Sequence, residues 1–154
     1  MVTNPIPVTV IRHRKERISK CSLRRLHDRP EFTFLKEREE FEFDASGFIL
    51  LSVDAPPLSP DDRGAPLLLL DATWRWLPQV ERAVVGEPIR RSLPPVQTAY
   101  PRTTKLFEDP EQGLASVEAV YWAKRVLGEN DPSLLEGYRW REEFLENVER
   151  AIRA

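Results

Sequence analysis

Four consecutive leucines, Leu67–Leu70, run from Pro66 to Asp71, and Thr73 and Trp74 follow at once. A carboxylate at such a point accepts hydrogen bonds or a proton, and an indole beside it supplies a flat apolar wall whose face also favours a cation. So short a run, apolar on both faces, predicts a strand buried in a parallel sheet that is covered by helices. Ligands bind at the carboxyl edge of such sheets, which is where Asp71, Thr73 and Trp74 would stand. The same Asp and Thr would serve equally well as caps of a following helix.

The chain has 154 residues, enough for one substantial core or two small, closely packed lobes. With 41% hydrophobic and 31% charged residues it has the composition of an ordinary globular protein, and no stretch approaches the roughly 20 apolar residues that cross a bilayer. No membrane partner is expected. The start, Met1 to Val10, lacks a basic segment followed by an apolar one, so a cytoplasmic location is expected. The lone Cys21 and two separated histidines offer no metal-ligand cluster, and no metal is expected.

A net charge of −2 argues against indiscriminate nucleic-acid binding, yet charge is unevenly spread. Between Arg12 and Arg29 stand eight Lys and Arg against only Glu16 and Asp28. Within this stretch Arg14, Lys15, Lys20, Arg24 and Arg25 are either a solvated face or a surface that contacts phosphates and gains affinity by releasing counterions.

The elements that must position these residues follow from pattern. Pro7–Ile11 reads as a first strand, Ser22–His27 as a short helix, Glu31–Leu35 and Glu40–Phe43 as half-exposed strands, and Phe48–Val53 as an apolar strand. Ala55–Pro66 reads as a loop with at most one helical turn at Ser59–Asp62, where Ser caps and Pro takes the first helical position. Trp74–Val85 is helical in pattern with Pro78 near its start, and Pro88–Lys105 reads as extended loop. Ser116–Leu127 is a helix ended by Gly128. A last helix follows a cap at Asn130–Ser133 and runs to about Ala151, with Leu134, Leu135, Tyr138, Phe144, Leu145, Val148 and Ile152 on one apolar stripe. The fold class is therefore α/β: a parallel-sheet amino-terminal part joined to a helical carboxy-terminal part.

Asp71-Ala72-Thr73-Trp74 resembles the Asp-x-Ser/Thr-Trp motif of the DTW-domain superfamily. The resemblance continues in order through Lys20–Leu26, Leu58–Asp62, Ser92–Pro94, Leu114–Ala119 and Tyr138–Trp140. It is strongest to the branch that modifies small-subunit ribosomal RNA, whose members move the 3-amino-3-carboxypropyl group of S-adenosylmethionine to a uridine-type base. Leu23 stands where the family usually has Gly, and Gln97–Arg102 where it has an Asn-Pro-rich segment. The absence of a cysteine-rich amino-terminal segment favours the ribosomal branch over the transfer-RNA branch.

The resemblance implies a residue 1–92 part that binds RNA and forms the cofactor edge, and a residue 93–154 part that is mostly helical, with a SPOUT-like knotted cofactor site. It implies S-adenosylmethionine as cofactor, RNA as partner (ribosomal RNA favoured, transfer RNA possible) and a monomer. Trp74 would bury the cofactor's methyl group, so that the side-chain carbon beside sulfur faces the base. Asp71 would be the catalytic residue, as hydrogen-bond partner or proton acceptor for the base's imide nitrogen. Ser22 and Ser116 would hold the cofactor's amino-acid end, and Leu51 and Leu93 would meet its adenine. An RNA methyltransferase of related fold, or a non-catalytic RNA-binding ribosome assembly factor, are the alternatives.

Overall fold

In β1 (Val8–Arg12) every residue is buried, the mark of a strand covered on both faces. The computed structural model describes residues 4–16, 21–101 and 113–154. Further strands are β2 (Phe32–Lys36), β3 (Phe43–Asp44), β4 (Ile49–Leu51), β5 (Leu67–Asp71), β6 (Val84–Val85) and β7 (Ile89–Arg91). Five of them form a sheet in the order β2-β1-β5-β4-β7, and each neighbouring pair is parallel. The remaining two, β3 and β6, pair parallel in a small separate ribbon.

Alternate residues along these strands enter two different apolar layers. Val8, Val10, Ile49 and Leu67 pack with helices α2 (Ser116–Val126) and α3 (Arg141–Arg153), through Val117, Val120, Phe144 and Val148. Ile11, Leu50 and Leu68 point the other way and pack with Val80 of helix α1 (Leu77–Arg82) and with Phe43 and Phe48. Residues on both sides of position 92 share the larger layer.

Strand order defines a crevice. The chain leaves β1 toward β2 but leaves β5 toward β7, in opposite directions along the sheet, so the neighbouring carboxyl ends of β1 and β5 bound a topological switch point. Arg12 and Asp71 are register partners at that point.

Several expectations are met closely. Ser59 caps a 3₁₀ turn at Pro60–Asp62 in a full capping box, and Gly128, at φ +97°, follows α2. Others are corrected. The helix expected over Trp74–Val85 is confined to Leu77–Arg82, because Val84 and Val85 are drawn into the ribbon with β3. Ile89–Arg91, read as loop, is an edge strand bonded only to β4. The last helix starts at Arg141: Pro132–Leu135 is a 3₁₀ turn, and Gly137 at φ +83° breaks the path between them. Ile152, expected on the apolar stripe, is 48% exposed.

A buried ion pair holds the entry to β1. Lys124, fully buried, donates to Glu129 Oε2 at 2.9 Å and to the carbonyl of Ile6 at 2.8 Å, while Ile6 N–H donates to Glu129 Oε1 at 2.6 Å. Removing one partner of such a pair strands a charge, at a cost of about 3–5 kcal/mol. Glu129→Gln keeps an acceptor for Ile6 but strands Lys124, so urea denaturation should show a loss of that size, reduced in the Lys124→Met/Glu129→Leu double variant. A loss below about 1 kcal/mol in Glu129→Gln, the scale of an exposed pair, would show that Lys124 finds solvent.

Candidate active site at the sheet edge

The β5 strand delivers Asp71 to the crevice, and its carboxylate gathers donors from three other segments. Ser116 Oγ, in the first residue of α2, donates to Oδ1 at 3.1 Å. Cys21 Sγ donates to Oδ2 at 3.0 Å, and Arg12 Nε lies 3.4 Å from the same oxygen. Arg12 is nearly buried, its guanidinium 5.8 Å from the Phe34 ring centroid, and its Nη2 has no hydrogen-bond partner among the described residues.

Cys21 reports the field at this spot. Burial, followed by the charge and hydrogen bond of Asp71, raises its pKa from 9.0 to about 11, so at neutral pH it is a thiol that donates its proton to the carboxylate. Its sulfur also accepts Leu23 N–H at 3.3 Å, which fixes the turn.

Asp71 does not cap the helix that follows it. Helix α1 begins at Leu77 without a side-chain cap, and the amide of Thr73 is taken by Glu16 Oε1 at 2.9 Å. Ser22 does cap: its Oγ accepts Val117 N–H at 3.0 Å and so tethers the start of α2 to the segment after β1. Glu118, fully buried, reaches back to Ala115 N–H at 2.9 Å and also accepts Thr98 Oγ1–H and Ala99 N–H at 2.6 and 3.0 Å.

The other expected cofactor residues lie along the same edge. Leu51 ends β4 and Leu93 lies two residues beyond β7, both partly buried against the larger core. Trp74 is 53% exposed, whereas Trp76 is half-buried and stacks on His13 at 4.7 Å. His13 Nδ1 accepts Lys15 N–H at 3.1 Å, so its ring proton sits on Nε2, directed at Gln79 Oε1 at 2.7 Å.

Of the basic residues, Arg14 Nη1 is 3.8 Å from Glu37 Oε2, and exposed Lys15 places Nζ 4.7 Å from the centroid of Trp76. Arg24 and Arg25 stand exposed on a 3₁₀ turn whose Leu23 and Leu26 are buried. Lys20 lies outside the described residues. Arg12, Cys21 and Glu16 carry parts of the site that sequence reasoning did not assign. The available signal was a charged residue closing a β-branched, largely apolar strand, since a buried Arg needs an anion beside it.

The fold is α/β, with a crevice at the switch point of a parallel sheet. No protein-family model matches the chain, and no curated protein matches it. A solved structure that it resembles is that of the SAM-dependent rRNA:acp-transferase Tsr3 from Vulcanisaeta distributa: 23% identity, TM-score 0.69, covering 96% of this chain and 82% of that one. At that identity the likeness establishes the fold.

Because the folded pKa of Cys21 lies above the unfolded one, the stability it contributes is complete below pH 9.0 and is lost as pH rises through about 11. Alkylation by iodoacetamide at pH 9 should therefore be at least about tenfold slower in the native protein than in the denatured one, since only the thiolate reacts. Asp71→Asn should speed it while leaving it slower than the denatured chain, as burial remains. Equal native and denatured rates would show that Cys21 does not sense the carboxylate.

Proposed function

We propose that this chain transfers the 3-amino-3-carboxypropyl group of S-adenosylmethionine to a uridine-type base of RNA, ribosomal RNA in particular. What carries the reading is the position of Asp71: the carboxylate of the DTW-like motif stands at the switch point of a fold that matches a ribosomal RNA acp-transferase over 96% of the chain. The DTW-domain assignment, a SPOUT-like knot and a monomer belong to the same proposal and rest on the order of the sequence segments.

The donor set at the edge suits this cofactor. S-adenosylmethionine carries a cationic sulfur, an adenine and a zwitterionic end, and the edge offers a carboxylate, an exposed indole, two half-buried leucines and two hydroxyls. When bound, S-adenosylmethionine supplies an electrophilic carbon attached to a sulfonium leaving group. Trp74 would hold the cofactor's methyl group, so that the side-chain carbon is the one offered to the RNA. Leu51 and Leu93 would meet the adenine. Ser22 accepts from Val117, which leaves its own hydroxyl proton to give, and Ser116 gives its proton to Asp71, which leaves lone pairs to accept. Together they suit a carboxylate and an ammonium.

Asp71 has two oxygens and about four acceptor sites, of which Ser116, Cys21 and Arg12 each take one. A site remains for the imide N–H of the acceptor base, which attacks only when that proton is removed or the resulting anion is stabilised. The three donors hold the carboxylate in one orientation, so the base meets a fixed acceptor.

Incubated with S-adenosylmethionine and total RNA from a strain lacking the protein, the chain should add an aminocarboxypropyl mass to one RNA nucleotide. A methyl mass would assign it to methyl transfer, and no added mass would reject the reading. Trp74→Ala should remain folded and lose S-adenosylmethionine binding by calorimetry. Asp71→Asn should cost about 1–3 kcal/mol of stability, because Arg12 and Cys21 lose their carboxylate, and should slow single-turnover transfer by at least about tenfold. Normal transfer in that variant would make Asp71 structural only.

Arg14→Glu/Lys15→Glu should weaken RNA binding and flatten its salt dependence, each lost phosphate contact lowering the slope by about 0.9 on duplex and 0.7 on single strands. Cofactor affinity should not change. An unaltered salt slope would identify these two side chains as a solvated face.

A further inference from the structure

A cavity of about 230 Å³ is lined by Cys21 and Ser22, next to Asp71, and walled by Tyr100, Tyr138 and Trp140 and by Arg24, Arg25 and Glu136. We infer that it is a stacking subsite for one unpaired RNA nucleotide neighbouring the nucleotide that is modified. The inference rests on the proposed transfer to RNA and adds to it the form of RNA recognised: single-stranded, with a base splayed out of its stack.

The aromatic wall is prearranged. Tyr100 meets Trp140 edge-on at 5.2 Å, Tyr138 meets it at 5.7 Å, and Arg139 Cζ lies 5.5 Å from its ring centroid. Tyr100 is 46% exposed, so its ring is open to an incoming base. The cavity is open to solvent on one side and has room for a planar base.

The cationic rim is equally specific. Buried Leu23 and Leu26 anchor the 3₁₀ turn that presents Arg24 and Arg25. Arg25 lies so close across Gly137 that an added Cβ there would stand 2.5 Å from its Nε, and Arg25 has no ion pair or hydrogen bond among the described residues. A guanidinium held against a glycine and left without an anion suits a backbone phosphate. Glu136 faces the same space as an acceptor for N–H groups on a base edge.

Aromatic faces stack any base, and a base can enter only when it has left a duplex, so the wall and rim together favour single strands over duplex. The distance to the chemistry is short: Cys21 lines the cavity and also bonds Asp71 Oδ2 at 3.0 Å. A base held here fixes the strand on one side of the acceptor.

The test is fluorescence anisotropy with a fluorescein-labelled single-stranded octanucleotide of RNA and with its duplex, at one salt concentration. The single strand should bind more tightly than the duplex, and Tyr100→Ala should weaken single-strand binding by roughly fivefold or more with little effect on duplex. Arg25→Glu should weaken it as well, Trp140→Phe should retain most of it, and calorimetric affinity for S-adenosylmethionine should be unchanged in Tyr100→Ala and Arg25→Glu. Wild-type single-strand affinity in folded Tyr100→Ala, equal losses for single strand and duplex, or no single-strand binding by the parent chain would overturn the subsite. Tyr100-dependent binding without any group transfer would reject the proposed reaction and keep the subsite, whereas normal transfer with Tyr100-independent binding would reject the subsite alone.

Discussion

A carboxylate drawn into a protein edge must be met by donors, and Asp71 meets this demand with groups 45, 50 and 59 residues away along the chain. The parallel register of β1 and β5 brings Arg12 opposite it, the segment after β1 folds back to offer Cys21, and α2 starts where Ser116 can reach it. One side chain therefore sets the relative positions of two strands, one turn and one helix. The same residues that satisfy the charge define the crevice, so stability and site geometry are set by the same contacts.

Farther from the edge, other buried charges perform the same kind of fastening. Glu118 binds the segment after β7 to α2 through Thr98 and Ala99. Asp131 is another case: burial on its own would raise its pKa, but hydrogen bonds from Ser133 and Arg29 outweigh burial and hold it below the ordinary carboxylate value. Helix α2 is buried over most of its length, with Glu118 and Lys124 inside it. Each ion there is matched to a backbone group or an opposite charge, which a plain apolar helix would not require.

Strands with apolar alternation or continuous apolar runs were legible in the sequence, as β1, β4 and β5 illustrate, because burial on both faces leaves a local compositional trace. Local punctuation was legible for the same reason: Ser59 before Pro60, and Gly128 after α2. Ile89-Arg90-Arg91 left no such trace. It is an edge strand with one neighbour and two exposed residues, so its identity depends on β4 rather than on its own side chains. The place of Asp71 at the sheet edge followed from the expected parallel sheet and those of Leu51 and Leu93 were implied only by the family resemblance, whereas the bonds from Arg12 and Cys21 are long-range and leave no periodicity to read.

The fastening of Ile6 by Glu129 and Lys124 also constrains the order in which the chain is assembled. Its two ends are 123 residues apart, and β1, which it secures, stands between β2 and β5 inside the sheet. During synthesis from the amino terminus, the first strand emerges long before its clamp exists, and closing so wide a loop must precede the reward of its contacts. The nascent chain is therefore obliged to keep an apolar strand waiting until nearly all of its successors have appeared, which makes late, whole-chain consolidation the natural route to this fold and folding slow for its size.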